Sequence, residues 1–193
     1  NTTGANSVAV GCGALTDNTV GDQNTAVGGT ALGDNTEGEY NAAFGYNSLR
    51  KNTTADCNTA FGYYALACNT TGSTNTAIGG DALDSNTTGS ENTIVGREAG
   101  CTNTTGSCST ALGARSLKSN TEGNGNVAIG YHALCTNTTA GMNVAVGLCA
   151  LNANTTGASN TAIGTNALDS NTEGTDNTAV GRGASVCNTT GLC

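Results

Sequence analysis

The sequence predicts an all-β chain wound as a single-chain parallel β-solenoid, a β-roll or β-helix, and three observations carry that prediction. The first is a strict period. The glycines that close blocks such as "NTAVG" fall at Gly11, Gly28, Gly45, Gly62, Gly79, Gly96, Gly113, Gly130, Gly147, Gly164 and Gly181, at one constant spacing with no insertion or deletion. Each circuit is therefore seventeen positions long. The second is that the apolar residues return at fixed places within that period. The third is composition. With no Pro, no Trp, two Phe and 29 Gly, a chain of 193 residues lacks the bulk of a globular core. A disordered chain would in turn lack the period and the regular apolar places.

Counting Asn1 as slot 1, the chain is eleven full units followed by "NTTGLC", with the consensus N-T-T-G-x-x-N-T-A-V-G-x-x-A-L-x-x. A longer period overlies the short one. "SNTEGNGNVAIGYHAL" from Ser119 answers "DNTEGEYNAAFGYNSL" from Asp34, and the stretch from Asn160 answers that from Asn75. Both offsets equal five units, so a five-coil block has been duplicated. Nothing reads as a linker, and residues 1–193 form one continuous domain of eleven repeats and a partial twelfth.

Slot 1 is Asn in every copy: Asn1, Asn18, Asn35, Asn52, Asn69, Asn86, Asn103, Asn120, Asn137, Asn154, Asn171 and Asn188. Stacked coils place these side chains over one another as an amide ladder. Eight of them head an "NTT" triplet that matches the N-glycosylation sequon. Asn persists, however, where slot 3 is Val20, Glu37, Glu122 or Glu173 and the sequon is lost, so a ladder explains the recurrence better. Slots 3 to 6 read as a turn, with Gly in slot 4 of ten of twelve copies to permit positive φ. Slots 7 to 11 read as a short strand, as in Asn24-Thr25-Ala26-Val27-Gly28. Strand side chains alternate faces, and slot 10 holds only Val, Ile, Phe or Leu. The expectation is that slots 8 and 10 point inward and slots 7, 9 and 11 outward; if slots 8 and 10 face outward instead, they form an apolar oligomer interface. Slot 14 is always Ala or Ser, and slot 15 is Leu in nine of eleven units. Gly-rich turns interrupt the apolar slots on every circuit, which excludes a helix. One such unit cannot offset the entropy of ordering its own backbone, so stability must come from stacking like slots over like.

The repeats "NSVAVGCGA" from Asn6, "NTAIGGDA" and "NVAIGYHA" resemble the head repeats of trimeric autotransporter adhesins, which read roughly N-S-V-A-I-G-x-x-A/S. The longer unit NTAxGxxALxxNTTGxx resembles arrays in bacterial and phage tail-fibre-like proteins. The resemblance spans all 193 residues. It implies left-handed winding, assembly into a homotrimer and a role in an adhesive fibre. The unit is longer than an adhesin-head repeat by its "NTTG" turn, and the nine cysteines are foreign to that family.

Nine cysteines without a C-x-x-C pair point to an oxidising, extracellular setting. Cys101 and Cys108 flank one "NTTG" turn, and Cys187 and Cys193 another. In both of those units the slot-15 Leu is replaced, by Gly100 and Ser185, and a disulfide of roughly 2–4 kcal/mol is expected to offset the loss. Cys57 and Cys68 are placed to bridge adjacent rungs, and Cys135 and Cys149 form a further candidate pair. Cys12 is left unpaired or links to another subunit. The alternative is that most are buried free thiols.

Tyr46, Tyr63, Tyr64 and Tyr131 occupy the variable slots 12 and 13, beside His132. They form either a stabilising aromatic ladder or a surface that grips glycans. Slots 3, 5 and 6 carry eight acidic residues and no basic one, while Arg50, Lys51, Arg97, Arg115, Lys118 and Arg182 all fall in slots 12 to 17. A net charge of −8 argues against nucleic-acid binding. No apolar run approaches the ~20 residues of a membrane helix, and no signal peptide is recognisable, so no membrane insertion is expected. The only His is His132, and no slot joins a nucleophile to a base, so neither catalytic residues, metal ligands nor cofactors are assigned and no enzyme is expected.

Beginning at Asn rather than Met, the chain reads as a processed product or a piece of a longer array. Its final "NTTGLC" starts another coil, so head-to-tail stacking into a filament is expected. The function that follows is a non-enzymatic, extracellular or cell- or virion-surface structural and adhesive fibre. The alternative is an ice-binding solenoid with ranked threonines, since slot 8 is Thr in seven of eleven units.

Overall fold

A computed structural model describes residues 4–191. Its eleven strands have three residues each: β1 (Val8–Val10), β2 (Thr25–Val27), β3 (Ala42–Phe44), β4 (Thr59–Phe61), β5 (Thr76–Ile78), β6 (Thr93–Val95), β7 (Thr110–Leu112), β8 (Val127–Ile129), β9 (Val144–Val146), β10 (Thr161–Ile163) and β11 (Thr178–Val180). They form one parallel sheet in chain order, and no helix occurs among the described residues. Pairing keeps the register of the sequence period, as in Thr25↔Ala42, Ala26↔Ala43 and Val27↔Phe44. At ~4.8 Å per rung the eleven coils span roughly 50 Å.

Coil-to-coil pairing continues outside the strands. The amides of slots 8, 15, 17 and 2 donate to the following coil: Thr25 to Asn41 O (2.8 Å), Leu32 to Ser48 O (3.1 Å), Asp34 to Arg50 O (2.9 Å) and Thr36 to Thr53 O (3.0 Å). Those of slots 6, 11 and 13 donate to the preceding coil, as in Tyr40 to Asp22 O (3.2 Å) and Gly45 to Val27 O (2.8 Å). Residues in slots 6, 13 and 15 reach these partners from the left-handed region, Tyr40 at φ 57°, Asn47 at 56° and Leu49 at 51°. So repeated a use of positive φ by non-glycine residues persists only because every circuit is held by its neighbours.

The strand alternates as expected, but with the opposite phase. Slot 9 points inward: Ala26, Ala43, Ala60 and Ala77 are fully buried, while slot 10 is exposed, with Val10 at 56% and Phe61 at 54%. The reason is thickness. The slot-15 leucines cross the narrow interior towards slot 9, and only a methyl group fits between. Slot 7 shares the inward parity, and its asparagines, Asn24 and Asn41 among them, are buried. The core is therefore Ala of slot 9, Ala or Ser of slot 14 and Leu of slot 15, between two ranks of buried Asn.

Two glycine slots have different physical origins. At slot 11, Gly45 has φ 139°, and a Cβ there would lie 2.4 Å from Gly62 O, so both conformation and space demand glycine. At slot 4 the expected positive φ is absent, and space alone decides: a Cβ on Gly38 would lie 2.4 Å from Ala55 O and 2.6 Å from Asn35 Oδ1.

The lost slot-15 leucine of the sixth coil (residues 86–102) is replaced by packing, not by a disulfide. Ile94 stands in slot 9, where most coils have Ala, and is 1% exposed. A Cβ on Gly100 would sit 3.5 Å from Ile94 Cγ2 and 3.6 Å from Leu83 Cδ2. Isoleucine on one wall thus fills the space that leucine leaves on the other.

Candidate interaction face

The asparagine ladder of slot 1 forms as predicted from Asn18 to Asn188, with Asn1 outside the described residues. From Asn35 to Asn171 each Nδ2 donates to the Oδ1 of the coil before, Asn35 to Asn18 at 2.8 Å and Asn52 to Asn35 at 2.7 Å, and also to the carbonyl of its own slot 4, Asn35 to Gly38 O at 3.0 Å. That carbonyl takes a second amide from slot 7 of the preceding coil, Asn24 Nδ2 to Gly38 O at 2.7 Å. Burial with every amide satisfied gives the sequon asparagines Asn52, Asn69, Asn86, Asn103, Asn137 and Asn154 a structural role in the folded coil. Slot-5 acids also serve the structure, Asp56 Oδ1 accepting the amide of Glu39 at 2.7 Å.

With the interior so occupied, the outer surface of the sheet is what the fold offers. Slots 8 and 10 form two parallel ranks ~7 Å apart, repeated every ~4.8 Å. Slot 10 runs Val10, Val27, Phe44, Phe61, Ile78, Val95, Leu112, Ile129, Val146, Ile163, Val180, and slot 8 is Thr, Val or Ala, so the face carries no charge. Phe44 and Phe61 stack at 5.0 Å between centroids. Ile78, Leu112 and Ile163 stand 39%, 50% and 41% exposed. A continuous apolar strip of this length exceeds the scattered apolar residues of an ordinary monomer surface.

Two ridges flank the strip. The slot-12 and slot-13 ridge carries the tyrosines: Tyr46 and Tyr63 stack at 5.8 Å, Tyr64 tilts against Tyr63 at 4.4 Å, and Tyr131 stacks on His132 at 4.2 Å. Burial, then the nearby Arg115 and Lys118, hold the His132 imidazole below its ordinary pKa. On the same ridge Glu98 accepts from Arg97, from Arg115 Nε at 2.9 Å and from Lys118 Nζ at 3.0 Å. One carboxylate serves three cations there. The slot-6 ridge on the other side carries Glu91 and Asp176, both exposed.

The cysteines depart from the expected pairings. All eight described cysteines are free thiols, and Cys193 lies outside the described residues, with its pairing to Cys187. The Cys101 thiol lies 3.8 Å from Lys118 O and that of Cys108 lies 3.6 Å from Glu91 Oε2, so the two sulfurs engage different partners and no Cys101–Cys108 bond forms. Cys57, on the sheet side of the coil, is likewise unbonded to Cys68. Cys135 and Cys149 are also unbonded: burial, opposed in part by Lys118 and Arg115, raises the Cys135 thiol, and the nearby Cys149 adds to the rise. Cys12 is exposed and unpaired.

Among the described residues no cavity opens into the coil, and no three His, Cys, Asp or Glu side chains converge to hold a metal ion. The sequence singled out the tyrosines and the amide ladder, and it placed the apolar strip in the interior with an outward oligomer interface as the alternative. The signal that could have found it was the parity of slot 7: Asn in nine of eleven units, two residues before Ala, marks an inward amide rank. No protein-family model matches the chain, and no curated protein and no solved structure is similar to it.

Proposed function

We propose that the protein is a non-enzymatic structural rod of an extracellular or cell-surface fibre, which works by associating side by side with its own copies through the apolar strip of slots 8 and 10. The single observation that carries this reading is the unbroken outward rank from Val10 to Val180 on a chain whose polar interior is already satisfied. The repeats' resemblance to adhesin heads and tail fibres supports assembly, with a homotrimer as the closed form. Replacing Ile78 and Leu112 by Lys is expected to shift the full chain from oligomer to monomer in sedimentation equilibrium, with an unchanged β-type circular dichroism spectrum. A wild-type chain that stays monomeric at millimolar concentration overturns the reading.

One observation favours a second reading. The threonines of slot 8 point outward, ranked on a flat face as an ice-binding solenoid requires. Against it, slot 10 contains no hydroxyl, and the stacked Phe44 and Phe61 break the flatness of the face. Thermal hysteresis by the isolated chain, abolished by Thr76→Lys, would establish this second reading in place of the first.

A further inference from the structure

The ridges beside the strip predict how two copies meet, an inference that rests on the self-association proposed above. Two rods that face each other across their sheets are related by an axis parallel to the rods or by one perpendicular to them. A perpendicular axis runs the rods antiparallel and sets slot 6 against slot 6. A parallel axis keeps every rung level and reverses strand direction across the gap, so slot 6 of one copy stands beside slot 12 of the next on the same rung. Within one chain these two slots lie at opposite ends of the strand, ~20 Å apart at ~3.3 Å per residue, and cannot touch.

The residues in those two slots match rung by rung. Slot 6 is acidic in only two coils, at Glu91 and Asp176, and slot 12 is basic in only the same two, at Arg97 and Arg182. The third coil presents Tyr40 and Tyr46, and the ninth Met142 and Leu148, all four strongly exposed. Glu91, Arg97, Asp176 and Arg182 are exposed as well. Arg97 keeps charge to spare, since it shares Glu98 with Arg115 and Lys118. An antiparallel arrangement would instead bring together two edges on which slots 3, 5 and 6 hold eight acids and no base. Like charges so placed are costly, and opposed ones fix register more than they add affinity.

We propose that copies of this chain associate parallel and in register about an axis that runs along the rods, with Glu91 of one copy paired to Arg97 of the next and Asp176 to Arg182. The partner is a second copy of the same chain, and the arrangement closes as a cyclic oligomer.

Charge exchange tests this on the full chain by sedimentation equilibrium. The variant Glu91→Arg with Asp176→Arg is expected to weaken association roughly tenfold at low salt, as is Arg97→Glu with Arg182→Glu. The chain with all four changes is expected to recover wild-type association. All four sites are exposed, and an unchanged β spectrum verifies folding. Association that tolerates every variant, or a fourfold variant no better than the two doubles, overturns the parallel register while leaving self-association through the strip intact. A wild-type chain that is monomeric and indifferent to the lysines at 78 and 112 overturns both.

Discussion

The sixth coil (residues 86–102) and the eleventh (residues 171–187) descend from the same unit, five coils apart, and both lack the leucine of slot 15. They solve the loss differently. In the sixth, Gly100 is buried against Ile94, which fills the interior from the opposite wall. In the eleventh, slot 9 remains Ala179 and slot 15 is Ser185, which stands exposed. What a coil must keep is therefore the summed volume of slots 9 and 15, and only where neighbouring coils close over it.

The largest break in that comparison is Ile94→Ala, which empties both walls of the sixth coil at once. A loss of about 2–4 kcal/mol is expected, read as a lowered urea midpoint. Adding Gly100→Leu to that variant rebuilds the consensus coil and should return most of the loss, because the backbone at Gly100 already has φ 54°, as at the slot-15 leucines. Next comes Asn86→Ala, which removes the amide donated to Asn69 Oδ1 and Gly89 O and leaves the buried Asn69 Oδ1 unpaired, while Gly89 O keeps the amide of Asn75. It should cost about 1–3 kcal/mol, and Asn171→Ala a similar amount, since the ladder runs unchanged through both coils. Equal urea midpoints for wild type and Asn86→Ala would break that equivalence. Ser185→Leu should stabilise by less than about 1 kcal/mol, since the site is exposed and recovers little burial.

The smallest effect sharpens the same contrast in another duplicated pair, where Asn47 of the third coil answers His132 of the eighth. Burial, then Arg115 and Lys118, lower the folded pKa of His132 below its ordinary 6.5. Below that value the unfolded chain binds the proton more readily than the folded one. Stability therefore falls as pH drops through ~6.5 towards the folded pKa. His132→Asn should flatten this part of the stability–pH curve, and an unchanged slope would discount the charge environment of that ridge.

Period, coil count and the slot-1 ladder were legible because a constant spacing without a single slip leaves one way to stack like on like. The facing of the strand was not. Val, Ile, Leu and Phe in slot 10 have the composition of a core, and a strand shifted by one residue exchanges its faces entirely. Physical thickness decided the matter, since Ala26 and Leu32 fill the gap where Val27 would not fit. The candidate site was legible only as the alternative, since slots 8 and 10 facing outward would be read as an apolar oligomer interface, and it was the choice of face that went the other way. Two of the cysteine pairings, Cys101 with Cys108 and Cys187 with Cys193, were tied to the leucine-less coils, and Ile94, the residue that compensates one of those coils, passed unnoticed among small hydrophobic neighbours.

The amide ladder gives the rod a direction. From Asn188 to Asn18 each Nδ2 donates towards the earlier coil, ten times without reversal. Hydrogen bonds so aligned polarise one another, and their dipoles add along the axis much as peptide dipoles do in a helix. The column is thus electrically an arrow, with N–H foremost towards the low-numbered coils and carbonyl oxygen foremost towards the high-numbered ones.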